Sequence, residues 1–294
     1  MIPPRQRRRP LLLAWASWLL AGGIAVGLLG HAYRAGLVPA AIPSDAPPYD
    51  PARYAHALRH VNGRGWVDYA ALAKDRGELD LFVASLAGSS PVNHPERFPD
   101  SSHELAYWLN AYNALTLQAL VDRYPLDAVD GVRGFLLREV ASFPLGGERL
   151  TLSAIEARLT RMQDARVHFA LHTGAKSGPG LLDSPYQPEL LDPQLTEAGQ
   201  RFIGRADALK LQPGRVSLSA VLHWRAEELM GAVPAGHRSP LLQVVWAFLP
   251  DACEERPGCD TRSDLDRICG PRLDRCAVDE LPFDWRLDDT GSGH

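Results

Sequence analysis

Residues Glu104–Tyr124 read ELAYWLNAYNALTLQALVDRY, and this stretch decides the fold. It is strongly helical in pattern and largely apolar. Pro125 stops it, because proline lacks an amide proton and clashes with the preceding turn. Ser101 or Ser102 stands where a cap is wanted. A helix this apolar needs other elements around it, and the flanking sequence supplies them. Tyr54–His60 predicts a short helix, and Gly63–Tyr69 a turn followed by a short extended piece. Ala70–Leu86 predicts a helix with Leu72, Leu79, Phe82, Val83 and Leu86 on one face. Downstream, FPLGGERLTL within Ala141–Thr151 is a hairpin signal with Gly146-Gly147 at its turn. Ser153 is placed to cap a helix running to about Arg161. Ala165–His172 is apolar and short enough for a buried strand, and Thr173–Gly180 is a glycine loop. Helices are expected at Pro193–Arg205, Ser219–Met230 and Pro240–Leu249, with Val216-Ser217-Leu218 leading into the second. The expected fold class is α+β: a mainly helical single globular domain with a few short strands, residues 51–290.

The composition, 46% hydrophobic and 22% charged over 294 residues, excludes a disordered tail, a collagen-like chain and a polytopic membrane protein. The net charge of −4 hides an asymmetry. Residues 1–44 hold five arginines and no acid, which leaves 26 basic against 35 acidic residues, or −9, for the rest. A body this acidic excludes nucleic acid as a partner. Residues 1–10, MIPPRQRRRP, are a basic stub, and Leu11–Leu29 is a run of 19 residues without a charge. As a helix the run is about 28 Å long, close to the thickness of a hydrocarbon core. The arginines favour the cytoplasmic side, so the remainder is exported. A cleaved signal peptide has a shorter apolar region, about 7–15 residues. Residues 11–30 are therefore expected to be an uncleaved transmembrane signal anchor. That places the chain in the inner membrane, single pass, with its C-terminal domain in the periplasm or outside the cell. Residues 31–50, rich in Pro and Ala, are the linker.

Cys253, Cys259, Cys269 and Cys276 are separated by five, nine and six residues. In an exported chain they predict two disulfides within residues 253–276, with three pairings open. Zinc is the rival, but no C-x-x-C pair and no histidine lies between them. Asp260, Asp264 and Asp266 lack the alternation and central glycine of a calcium loop and read as a solvated face. No metal site and no cofactor is read from the sequence.

Several separated segments carry a resemblance. They are Val67-Asp68-Tyr69, Tyr107–Leu115 (YWLNAYNAL), Leu152–Glu156 (LSAIE), Arg166–Leu171 (RVHFAL), Leu218–Trp224 (LSAVLHW) and Leu281–Trp285 (LPFDW). In this order they resemble the family called domain of unknown function 547, over about residues 50–290. The resemblance implies a fold but no established reaction. The pattern it follows has two cysteines after the R-x-H-F-A-L segment, in a form like C-x-x-x-S-C-P. Here Thr173 and Gly178 stand at those positions, with Ser177 and Pro179 kept. A threonine hydroxyl is far less acidic than a thiol and attacks only beside a well-placed base. Whether the missing pair serves as a thiol site or a structural bond is open in the sequence.

The candidate catalytic residues are His168, Glu156, Thr173 and Ser177. His168 is a candidate general base, its ordinary pKa lying near 6.5, or else a satisfied core histidine. Glu156 is placed to orient it, or to serve as a cap or salt bridge. Asn110 and Asn113 share one helix face and either bond neighbouring backbone or hold a substrate carbonyl. Tyr107, with Tyr112, either packs in the core or lines a pocket. Lys176 and its glycine loop suit an anion or carbonyl ligand. The loop lacks G-x-x-x-x-G-K-[ST], so no nucleotide is expected. Two function classes follow. The first is a membrane-anchored binding or scaffold module of the cell envelope, derived from an enzyme-like fold and expected to have an envelope protein partner. The alternative is a hydrolase or transferase acting on peptide or cell-wall amide bonds, with His168 as general base and loop amides at the oxyanion. Whether the protein is an enzyme stays open at this stage.

Overall fold

The Ser101–Val121 helix runs through the middle of the protein, and its apolar periphery explains the position. Sixteen of its residues are buried, Tyr107, Trp108, Asn110, Tyr112 and Asn113 among them. The computed structural model describes residues 40–231, 239–251 and 260–291. Asp100, not Ser101 or Ser102, caps the helix: its carboxylate accepts from the Ser102 and His103 amides, both at 3.0 Å. A carboxylate does this better than a hydroxyl, because it also opposes the positive end of the helix dipole. Helices Gly77–Gly88 and Leu152–Thr160 pack on it.

The expected helix over Ala70–Leu86 divides into Tyr69–Lys74 and Gly77–Gly88. Asp75 leaves helical geometry with φ −123° and ψ 34°. The expected Ser219–Met230 helix likewise divides, at Arg225, into Ala220–Trp224 and Ala226–Gly231. Thr151 rather than Ser153 caps the helix Leu152–Thr160, its hydroxyl accepting from the Ala154 amide at 3.1 Å.

Strands β1 (Ser142–Leu145) and β2 (Glu148–Thr151) form the expected hairpin, with Ser142 opposite Thr151. Gly146 and Gly147 both have positive φ, +54° and +91°, the tight-turn geometry that glycine allows without penalty. A second sheet joins β3 (Leu209–Gln212), β4 (Arg215–Ser219) and β5 (Ala277–Leu281). Here β3 runs antiparallel to β4, and β5 runs parallel to it. The fold is thus mixed helix and sheet, with helices dominant.

Ala165–His172 is not a strand. Val167–Ala170 is a short helix, and the chain extends only from Leu171. The turn before the helix is held by Asp164, whose carboxylate accepts from the Arg166 amide at 3.0 Å and whose carbonyl accepts from the Val167 amide at 3.1 Å. Among the described residues no strand lies beside the extended part. Asn113 takes that place: its amide donates to the Ala170 carbonyl at 2.9 Å and accepts from the His172 amide at 2.9 Å.

Cys269 and Cys276 form a disulfide, a bond that belongs to one of the three pairings left open. Cys253 and Cys259 lie outside the described residues, as does the expected anchor at residues 11–30. Among the described residues no helix is long and apolar enough to cross a membrane.

After β5 the chain becomes a strap. The Asp288 amide donates to the Gly174 carbonyl at 2.9 Å, and the amides of Lys176 and Ser177 donate to the carbonyls of Arg286 (2.9 Å) and Asp284 (3.2 Å). The Val129 amide donates to the Trp285 carbonyl at 3.0 Å. The strap thereby fixes the glycine loop and brings Phe283 and Trp285 beside it.

Candidate functional site

A cavity of about 400 Å³ opens between the central helix, the segment 131–140, the glycine loop, the Ala220–Trp224 helix and the strap. This volume is within the usual range for a small-molecule site. Each segment contributes for a local reason. Tyr112 and Thr116 come from the central helix, one turn apart. Glu156 comes from the Leu152–Thr160 helix, and His168 from the short helix after it. Trp224 and Arg225 sit where two helices part, and Thr173, Gly178 and Pro179 come from the loop.

Glu156 is buried at the inner end, its side chain 6% exposed. Two arginines converge on it. Arg138 Nη2 lies 2.7 Å from Oε2, at an angle that makes an ion pair rather than a hydrogen bond. Arg225 donates to Oε1. Each arginine also faces a second carboxylate: Arg138 is 3.4 Å from Glu139, and Arg225 is 4.0 Å from Glu228. The charges of this end are thus held in pairs.

His168 is buried, with its side chain 2% exposed. Its Nε2 has no hydrogen-bond partner among the described residues; the Glu228 carboxylate stands 3.6 Å away, too far for one. Burial, and then the charges of Arg225 and Arg138, hold the imidazole down at about 4. At neutral pH it is therefore uncharged. A buried polar atom without a partner needs a reason, and an absent ligand is one.

The other sequence candidates lie as follows. Thr173 lines the cavity; among the described residues its hydroxyl accepts a long bond from the Ala175 amide, 3.5 Å, and makes none with His168. Ser177 is buried away from the cavity, its hydroxyl accepting from the Asp284 amide at 3.0 Å. Lys176 places its ammonium over the Trp66 ring at 5.3 Å. Asn110 uses both amide atoms on Tyr186 backbone at 2.8 Å, as Asn113 does on Ala170 and His172. Tyr107 donates to the Ser89 carbonyl at 2.8 Å and lies at a separate hollow beside Tyr49, Phe98 and Tyr186. The loop amides of Lys176 and Ser177 are engaged by the strap and do not face outward. The structure therefore brings together His168, Glu156 and Thr173 and leaves the other five outside the cavity.

His172, four residues beyond His168, turns elsewhere. Its Nε2 is 2.7 Å from the buried Asp288 carboxylate, which also accepts from the Tyr69 hydroxyl at 2.9 Å.

Sequence reading passed over Arg138, Arg225, Trp224 and Trp285. Trp224 packs on Trp285 with ring centres 5.7 Å apart, and Phe283 lies 4.9 Å and 4.4 Å from the two. These rings form one wall of the cavity. The signal was present in LSAVLHW and LPFDW, two segments that both end in tryptophan.

A Cβ built at Gly178 falls 3.6 Å from the Thr173 Cβ. Side chains at these two positions are therefore within bridging distance of each other, on the cavity floor.

The family model described as protein of unknown function, DUF547, matches residues 96–203. This segment holds the central helix, Arg138, Glu156, His168 and the glycine loop. No curated protein and no solved structure matches the chain.

Proposed function

Since residues 96–203 belong to the DUF547 family, whose description assigns no activity, we propose from the cavity itself that this is a membrane-anchored, exported binding module of the cell envelope. Its ligand is a small amphipathic molecule. The observation that carries the reading is the unpartnered Nε2 of His168, buried inside an aromatic-walled cavity whose buried carboxylate, Glu156, is already paired with two arginines. A neutral imidazole takes a hydrogen bond from, or gives one to, a neutral polar group such as a hydroxyl or amide. The rings of Trp224, Phe283 and Trp285 cover the apolar part. A charge set against Glu156 at the inner end would have to separate it from its arginines, which is costly at a buried site.

One observation favours the hydrolytic alternative: His168 and Thr173 open onto the same cavity. Against it, an imidazole held at about 4 is a weak base at neutral pH, and the position that a thiol would occupy carries threonine. The test is native mass spectrometry of the full chain, solubilised in detergent from its own membranes. A bound small molecule is expected in the wild type and is lost in His168→Phe. A wild type that carries none, and whose tryptophan fluorescence does not respond to envelope extract, overturns the reading. Release of products from cell-wall peptides that depends on both His168 and Thr173 would replace it with the hydrolase.

A further inference from the structure

Ten large apolar side chains are exposed among the described residues, and six of them lie on segments that wall this one cavity. Val132 (73% exposed), Phe135, Leu136 and Val140 lie along residues 131–140, which wall the cavity, and Phe135, Trp224 and Trp285 line it directly. Scattered exposed apolar residues need no explanation, but a concentrated patch does. The segment carries Gly131 and Gly134 among these side chains, with Arg133 exposed between them. Aliphatic residues, tryptophans and an arginine long enough to reach headgroups are the composition of a face resting in a membrane interface.

The path of the chain agrees. Residues 30–39 separate the apolar run from Ala40, and ten residues reach at most roughly 35 Å. The Ala40 amide donates to the Gly147 carbonyl at 2.8 Å, at the β1–β2 turn. From that turn β1 leads back to Val140 over four residues, about 13 Å. The exposed face therefore lies within tether reach of a bilayer that holds residues 11–30.

We propose that the face formed by Val132, Phe135, Leu136, Val140, Trp224 and Trp285 rests in the bilayer interface, so that the cavity fills from the membrane and its ligand is a lipid-partitioned amphiphile. This rests on the anchored, ligand-binding reading above and adds the orientation and the source of the ligand. The test reconstitutes the full chain in phosphatidylcholine vesicles, with the photoreactive residue p-benzoylphenylalanine placed singly at Val132, Leu136 or Leu190. Leu190 is an exposed leucine (47%) outside the patch and serves as control. These positions are solvent-facing, so folding is retained, and melting curves check it. After illumination and intact-mass analysis, positions 132 and 136 are expected to give on the order of tenfold more lipid adduct than 190, since a face of this kind sits at the acyl boundary. Equal adducts at all three positions, or cross-links at 136 to a protein, in a chain that floats with the vesicles, overturn the inference and leave the anchor standing. A chain that does not float overturns both. The native mass experiment reports separately on whether any ligand is bound.

Discussion

Replacing Thr173 and Gly178 together by cysteine is expected to close a disulfide across the glycine loop. The Cβ at 178 would lie 3.6 Å from that at 173, inside the window of about 3.5–4.5 Å for a bridge. Gly178 is not among the glycines with positive φ, so its backbone accepts an L side chain. Two neighbours resist. Thr173 Oγ1 would be 2.3 Å from the new Cβ and the Ala175 carbonyl 3.2 Å. The first contact disappears as the residue-173 sulfur rotates into the bond, and the second asks the loop to give by a few tenths of an ångström. The closed loop spans residues 173–178, for which the chain-entropy relation gives about 2 kcal/mol. For a domain of this size that raises the melting temperature by about 4–8 °C. The assay compares the oxidised double variant with Thr173→Cys and Gly178→Cys alone, by intact mass, by thiol titration in denaturant and by melting curve. The rise is expected only in the double variant, with two hydrogens lost. Two free thiols in the double variant, under conditions that leave Cys269–Cys276 closed, would refute the reasoning. Closure would show that the cysteine pair in the pattern this chain resembles is geometrically able to brace the cavity floor, without invoking a nucleophile.

Four further outcomes are expected. The His168 imidazole is held below its ordinary 6.5, at about 4, so between these values the unfolded chain binds more protons and stability falls as pH falls, by up to about 3 kcal/mol in all. His168→Gln should flatten that part of a melting-temperature–pH profile; an unchanged slope would contradict the buried neutral imidazole. Glu156→Gln keeps the shape but leaves Arg138 and Arg225 without their shared charge, and urea unfolding should show a loss of about 2 kcal/mol. Asn113→Ala strands the Ala170 carbonyl and the His172 amide, and the same measurement should show a loss of about 3 kcal/mol. Trp224→Ala, at a half-exposed ring, should weaken retention of the bound molecule in native mass spectra while leaving the urea midpoint within experimental error; a large midpoint shift would assign the ring to the core instead.

The parts of the fold legible in the sequence are those whose cause is local. ELAYWLNAYNALTLQALV is rich in helix formers and is stopped by Pro125, so the helix is written in the segment itself. Gly146-Gly147 between FPL and ERLTL permits little besides a tight turn. What escaped is non-local or locally ambiguous. Strand β5 pairs with β4 across some sixty residues, Arg215 opposite Ala277, and nothing in AVDEL marks the partner. The β3–β4 turn at Gly214 (φ +71°) went unread because Lys210, Gln212 and Arg215 dilute the apolar alternation around it. Ala165–His172 was ambiguous in the usual way of a short apolar run. Its outcome turned on Asp164 at one end and Asn113, fifty residues earlier, at the other.

The site divides along the same line. Glu156 and His168 stood out because a polar residue inside an apolar segment demands a partner. Arg138 and Arg225 did not, since nothing separates them in sequence from the other arginines, and it is Glu156 on a third segment that distinguishes them. Asn110 and Asn113 show the converse: an amide on a buried helix face fits a substrate carbonyl as well as a backbone, and only the fold reveals that all four amide atoms are already bonded. Once those groups are satisfied, and Ser177 and Lys176 with them, little polar capacity faces the cavity. Glu156 is ion-paired with Arg138 and Arg225, and each arginine faces a second carboxylate. His168 Nε2 is left, neutral and 3.6 Å from Glu228. A ligand bearing a neutral donor or acceptor completes this arrangement without breaking an ion pair. A charge set against Glu156 has to break one, and the burial of that side chain makes it the worse exchange.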